Sequence, residues 1–275
     1  MAARLVVVTG GKAGPGATTL AVGLAGAWAV AGRRVLLVDL DPAGGDVAAH
    51  ISVGEIRGRG VAAVLAAGAG RVEPRGVAAE AAEVAANLRV LIGLPRADAA
   101  GLLRPEAAVA VVRAACQVAG VDVVLADAGR LGPRSVAQAL LGLPGVVGVL
   151  AARADVPGAL AAQRALLVAA EATATRLALV AVGVRRRSSA DVAELAAALE
   201  HPVSGVIPAW RRQLNRAIQT GQLPTRGRLG RAYRSLAAGL WPAGDSEPAR
   251  RAAGGRHARR GGQAPAEQER EATSA

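Results

Sequence analysis

The sequence predicts a doubly wound α/β domain, a mostly parallel sheet with helices on both faces, and three observations carry that prediction. Short β-branched runs alternate with longer Ala- and Leu-rich runs, the order in which strands and crossover helices follow one another in a parallel sheet. Several strand candidates are apolar without alternation, as strands covered on both faces must be. The chain has 275 residues, 52% of them hydrophobic. That suits one larger α/β domain or two small ones and excludes global disorder.

In chain order the expected strands are 5–9, 35–39, 89–92, 121–127, 146–151, 177–184 and 203–207. The expected helices are 18–31, 105–119, 156–172, 189–199, 211–220 and 229–241. Residues 54–87 are rich in Gly and Ala and can be placed only loosely. One folded domain is expected over 1–243. From Gly244 to Ala275 there is no Leu, Ile, Val, Met, Phe, Tyr or Trp. Such a segment cannot offset its ordering entropy by burial, so a disordered polar tail is expected.

With no Phe, one Tyr and three Trp, the core must be built from Ala, Val and Leu. A single cysteine, Cys116, excludes an internal disulfide, a multi-cysteine zinc site and a thiolate-held cluster; in its apolar run it reads as a small buried hydrophobe. The scattered His50, His201 and His257 make a His-rich metal site improbable. The start, Met1–Gly10, has too short an apolar run for a secretory leader. Two charge-free runs, 13–32 and 135–152, approach membrane-span length, but Pro, Gly and polar residues interrupt both. The expectation is a soluble cytoplasmic protein, with contact to the inner face of a membrane or to the nucleoid left open.

The formal net charge is +12, and of 33 basic residues only Lys12 is lysine. Between His201 and Leu240 lie seven arginines (211, 212, 216, 226, 228, 231, 234) and no Asp or Glu. The basic field therefore belongs to the end of the domain rather than to the tail.

The strongest motif is Gly11-Lys12-Ala13-Gly14-Pro15-Gly16-Ala17-Thr18-Thr19, between a strand and a helix. A phosphate-binding loop needs small residues, so that successive backbone N–H groups can face one anion, and a helix N-terminus whose dipole favours it. The spacing fits G-x-x-x-x-G-K-[ST] except that Ala17 stands where lysine belongs. Thr18 occupies the place of the Mg²⁺-binding hydroxyl. An ordinary glycine-rich turn would look similar, but two further features follow in the right order. One strand ends in Asp39-Leu-Asp41-Pro42 and another in Asp127-Ala-Gly129. Carboxylates at strand C-termini lie where open α/β sheets bind ligands, and where a metal-holding acid is expected. Either acid alone would read as a loop or helix cap.

Together these residues resemble the MinD/ParA family of P-loop ATPases with a deviant Walker A loop. The Gly-Ala-Thr-Thr-Leu-Ala form looks most like the CpaE/TadZ branch, which serves pilus assembly and secretion. The resemblance runs through Val35-Leu-Leu-Val-Asp39-Leu-Asp41-Pro42, the Asp127 strand, Gly205-Val-Ile-Pro208 and Thr220-Gly-Gln-Leu-Pro224. It implies the P-loop NTPase fold, ATP and Mg²⁺ as ligands, and a nucleotide-dependent homodimer. Lys12 matches the family's signature lysine, which acts across the dimer, and Asp41 the acid that orients the attacking water. Thr18, Asp127 and Asp39 would order Mg²⁺. Gly11 through Thr19, with Arg185 and Pro208, would line the nucleotide. Three departures stand out. Ala17 replaces the loop lysine, neither Val184 nor Arg185 is the adenine-reading Asn, and Trp210 stands where an acid is expected, either stacked on the base or merely packed.

Leu229, Tyr233, Leu236, Ala237, Leu240 and Trp241 recur at helical spacing, with Arg228, Arg231 and Arg234 off that stripe. This is either the closing helix with solvated arginines or a surface for an anionic partner, DNA or membrane. The expected function is an ATP-binding, dimerising positioning protein with slow ATPase activity that places a pilus, secretion or septum-associated assembly through a protein partner. The alternatives are a non-specific DNA-binding partition ATPase and a non-hydrolysing scaffold.

Overall fold

In the computed structural model, residues 3–12, 14, 16–51, 60–68, 71–94, 101–172, 176–185 and 189–241 are described. Ala13, Pro15 and the segment from Pro242 onward, including the expected tail, lie outside them. The strands are β1 (Arg4–Gly10), β2 (Val35–Asp39), β3 (Ala82–Ala85), β4 (Leu88–Leu91), β5 (Val123–Arg130), β6 (Val147–Arg153), β7 (Arg176–Val184) and β8 (Val203–Pro208). The helices are α1 (Ala17–Val30), α2 (Val47–Ile51), α3 (Val61–Ala67), α4 (Pro74–Glu80), α5 (Pro105–Cys116), α6 (Val136–Leu141), α7 (Val156–Ala170), α8 (Ser189–Ala198), α9 (Arg211–Thr220) and α10 (Gly227–Leu240).

One eight-stranded sheet runs in the order β3-β4-β2-β5-β1-β6-β7-β8. Every pairing is parallel except β3 with β4 at one edge. The central strands β1, β2 and β5 are buried almost throughout, which explains their unbroken apolar character. Alternate residues feed two cores. On one face Val6, Val8, Leu37 and Val149 pack against α1 and α10. On the other, Val7, Val38, Val124 and Leu150 pack with residues of α3, α5 and α6. Tyr233, fully buried, fills the space left open beside α1 by Gly23. At the opposite end from the site, Arg34 grips Asp122 through Nε at 3.1 Å and Nη2 at 2.7 Å, holding that carboxyl below its ordinary range. Arg4 and Arg33 lie over the Trp241 ring at 4.3 and 4.9 Å.

The structure differs from the sequence reading in three places. The loosely placed region holds α3, α4 and β3; β3 is an antiparallel edge strand joined to β4 by a turn with Asn87 at φ 64°. Helix α6 lies inside the charge-free run before β6, capped where Ser135 Oγ accepts from Gln138 N. Strand β5 starts at Val123 rather than 121 and continues past Asp127 to Arg130. Cys116 ends α5 half-buried, and desolvation pushes its thiol up to about 11, which disfavours the thiolate. Among the described residues, no helix is long and apolar enough to cross a membrane.

Candidate functional site

The site is built at the C-terminal edge of β1, β2 and β5. Strand β1 ends at Gly10 and α1 begins at Ala17, so the loop between them opens onto a helix N-terminus. Gly16 caps α1 at φ 92° and ψ 25°, a left-handed conformation that favours glycine. Its carbonyl accepts from Leu20 N at 2.9 Å, so the turn is locked to the helix. Gly11 packs against the backbone of α7 at Ala161, which fixes the other end of the loop. Ala17, in the place of the loop lysine, is the first residue of α1 and is buried.

Asp39 and Asp127 are register neighbours on β2 and β5, both with 0% exposure. Asp39 accepts from Val47 N at 3.1 Å and Asp41 N at 3.3 Å. Gly45 and Gly93 let two loops close over its carboxylate, where any side chain would collide with it. Burial, with Asp127 next to it, pushes Asp39 up to about 7. Burial likewise pushes Asp127 up to about 6; the Thr18 hydroxyl and Gly129 N–H temper the rise. Neither donor reaches hydrogen-bonding geometry, so both Asp127 oxygens lack a partner. Asp41, half-buried, accepts from Ala43 N at 2.9 Å, and its carboxyl is raised by desolvation, with Asp46 adding to the rise.

A buried carboxylate with both oxygens unsatisfied, next to a second buried carboxylate and a hydroxyl at a helix N-terminus, is incomplete without a cation. Among the described residues no three His, Cys, Asp or Glu side chains form a metal cage. That donor set suits Mg²⁺, which keeps several waters and takes one or two protein groups plus phosphate oxygens. Asp127 and Thr18 fit as its holders, with Asp39 behind Asp127.

A cavity of about 730 Å³ opens beside the loop, lined by Gly14, Gly16, Arg153, Arg185, Pro208 and Trp210 among others. The volume suits a nucleotide-sized ligand. Of the sequence-predicted residues, Gly14, Gly16, Thr19, Arg185 and Pro208 are brought to this one cavity. Trp210 is half-buried against the α1/α10 core and also borders the cavity, so it is both packed and available for stacking. Thr19 departs from expectation in one respect. Its hydroxyl is engaged with His50 Nε2 at 3.1 Å, and its carbonyl accepts from Tyr233 Oη at 3.4 Å. Lys12 lies near Asp155, whose carboxyl is held down first by Arg153 and in smaller part by Lys12.

Sequence reasoning missed Arg153 and His50. Neither stands in a motif, and only the strand register and the fold of α2 against α1 bring them to the loop.

The model of the CobQ/CobB/MinD/ParA nucleotide binding domain matches residues 6–225. The chain belongs to this family. Among solved structures it is similar to a ParA family ATPase from Chlorobium tepidum TLS, at 17% identity and TM-score 0.73, covering 86% of this chain and 99% of that one. It is also similar to the septum site-determining protein MinD complexed with Mg-ADP from Pyrococcus horikoshii OT3, at 17% identity and TM-score 0.71, covering 88% and 98%. A third is the MinC:MinD cell division protein complex of Aquifex aeolicus, at 18% identity and TM-score 0.70, covering 90% and 99%. At such identities these structures speak for the MinD/ParA fold of P-loop NTPases. No curated protein matches the chain.

Proposed function

We propose that this MinD/ParA-family chain binds Mg·ATP at the Gly11–Thr19 loop, dimerises when it does so, and turns ATP over slowly. In this reading it works as a positioning protein of the CpaE-like branch, placing a pilus, secretion or septum-associated assembly from the cytoplasmic side. The observation that carries it is the buried Asp39–Asp127 pair with two orphaned carboxylate oxygens, set beside Thr18 at the N-terminus of α1. Mg²⁺, when bound, would screen the phosphates and neutralise the charge that develops on transfer. The backbone N–H groups of the loop would hold the phosphates, with the α1 dipole adding to the attraction. Asp41, whose raised carboxyl lies at the open end of β2, would orient water.

Lys12 is the residue of this site that a partner copy would need. It is half-exposed, and its charge reaches Asp155. Sedimentation with and without Mg·ATP tests the reading. Nucleotide is expected to convert monomer to dimer, and Lys12→Ala to abolish the shift while leaving the thermal midpoint unchanged. A mass indifferent to nucleotide in both proteins would overturn it.

A second reading has its own support. Arg212, Arg216, Arg226, Arg228, Arg231 and Arg234 are all exposed on or next to α9 and α10, where the sequence has no acid. On the other face of α10, Leu229, Tyr233, Leu236, Ala237 and Leu240 are buried and close the domain. The arginines are thus solvated, as a surface for phosphate backbones needs, with Arg234 also donating to Thr225 O at 2.8 Å. If DNA is the partner, binding should be indifferent to sequence and fall steeply between low and physiological salt. Replacing Arg226, Arg228 and Arg231 by Ala should remove most of it, and unchanged retention on DNA would exclude this face.

A further inference from the structure

Ala17 leaves the loop without the lysine that holds phosphates in other loops of this spacing, while an arginine nothing in the motif points to stands beside it. Strands β1 and β6 pair in parallel with Gly10 opposite Ala151, so Arg153, two residues on, stands level with the start of the loop. Side-chain alternation decides which way it faces. Val149 and Ala151 belong to the core on the α1 side, Leu150 and Ala152 to the opposite one. Arg153 therefore shares the α1 face, the face onto which the loop's helix N-terminus opens. It borders the same cavity as Gly14 and Gly16.

Its anchoring is also specific. Arg153 Nε donates to Asp155 Oδ2 at 2.7 Å, and Asp155 Oδ1 caps α7 by accepting from Gly158 N at 2.8 Å. A residue fixed by a helix cap thus sets the direction of the guanidinium. The pair is substantially exposed, 44% and 37%, so exchanging Asp155 for another anion costs little. A guanidinium fork matches phosphate oxygens in a way one ammonium does not.

We propose that Arg153, from the end of β6, is the phosphate-binding cation in cis that takes the place of the loop lysine replaced by Ala17. This rests on the cavity being a nucleotide site. Arg153 supplies affinity for the di- and triphosphate, whereas Lys12 stays available to a partner copy.

The test is a double-mutant cycle on the full chain, read by calorimetric titration of ATP, ADP and AMP with Mg²⁺. Arg153→Ala is expected to weaken ATP and ADP about ten- to a hundredfold, the size of a lost charge-assisted hydrogen bond, with AMP changed far less. Ala17→Lys alone should change ATP affinity by less than about threefold, yet restore the Arg153→Ala protein to within about threefold of wild type. Arg153→Gln serves as a second variant should Ala disturb the α7 cap, with a melting curve as control. Arg212→Ala, in the same cavity, should weaken ATP less and gain nothing from Ala17→Lys.

Unchanged ATP affinity in Arg153→Ala or Arg153→Gln overturns the proposal. So does a loss that Ala17→Lys leaves unrepaired, or one that Arg212→Ala reproduces with the same rescue. Failure of the nucleotide reading itself would appear earlier, as wild-type protein that binds no ATP.

Discussion

Ala17→Lys is expected to raise the rate of ATP turnover about a hundred- to a thousandfold, the effect usually carried by one preorganised electrostatic stabiliser of a transition state. Phosphoryl transfer depends on positioning and on cations where charge develops on the phosphate oxygens. The buried first residue of α1 is the point from which a lysine would reach them. Arg153 comes from the end of a neighbouring strand, so it contributes to holding the phosphates more than to the transferring group. Phosphate release by the wild type should accordingly be slow and that of the variant faster at similar affinity. Brisk wild-type release that the lysine does not change would contradict this division of roles, and would point to Lys12 of a partner copy as the missing cation.

Asp127→Asn is expected to stabilise the ligand-free protein at pH 8 and to lose that advantage below about pH 5. Both buried carboxyls titrate above their ordinary value, Asp39 at about 7 and Asp127 at about 6. The folded state therefore binds protons more tightly than the unfolded one, and stability falls as pH rises from about 4 through about 7. For Asp127 alone, ionisation at full burial costs roughly 3 kcal/mol. An isosteric amide removes the charge but leaves buried N–H donors to satisfy, so a net gain of about 1–2 kcal/mol is expected. Urea midpoints across pH 4–8, at constant m, measure it. A wild-type stability that rises over this range would show that the pair is not the buried, uncompensated charge described here. Mg·ATP should reverse the order by supplying the missing cation to the wild type only.

Much of this site was legible in the residues. The loop, Asp39 and Asp127 and their order along the chain reflect constraints that act within a few residues: a tight turn, a helix start, an acid at the end of an apolar run, although β5 itself runs three residues past Asp127. Helix α6 carried a readable sign as well, since Ser135 and Gln138 have capping-box spacing, but the surrounding apolar run hid it. Strand β3 was not legible. Only Val84 favours an extended conformation in Ala82–Ala85, and its pairing with β4 makes it a strand. Arg153 was lost among 32 arginines. Its place follows from the β1–β6 register, which is set by packing across the whole sheet. His50 meets Thr19 only because α2 folds back on α1.

Whether the buried acids and the loop form a Mg·ATP site is decided by calorimetric titration of ATP into the full wild-type chain, with Mg²⁺ and with chelator, and with Asp127→Asn run alongside. ATP binding is expected to strengthen with Mg²⁺ in the wild type and to lose that Mg²⁺-dependent part in Asp127→Asn. Absence of ATP binding, or a wild-type affinity indifferent to Mg²⁺, would contradict it.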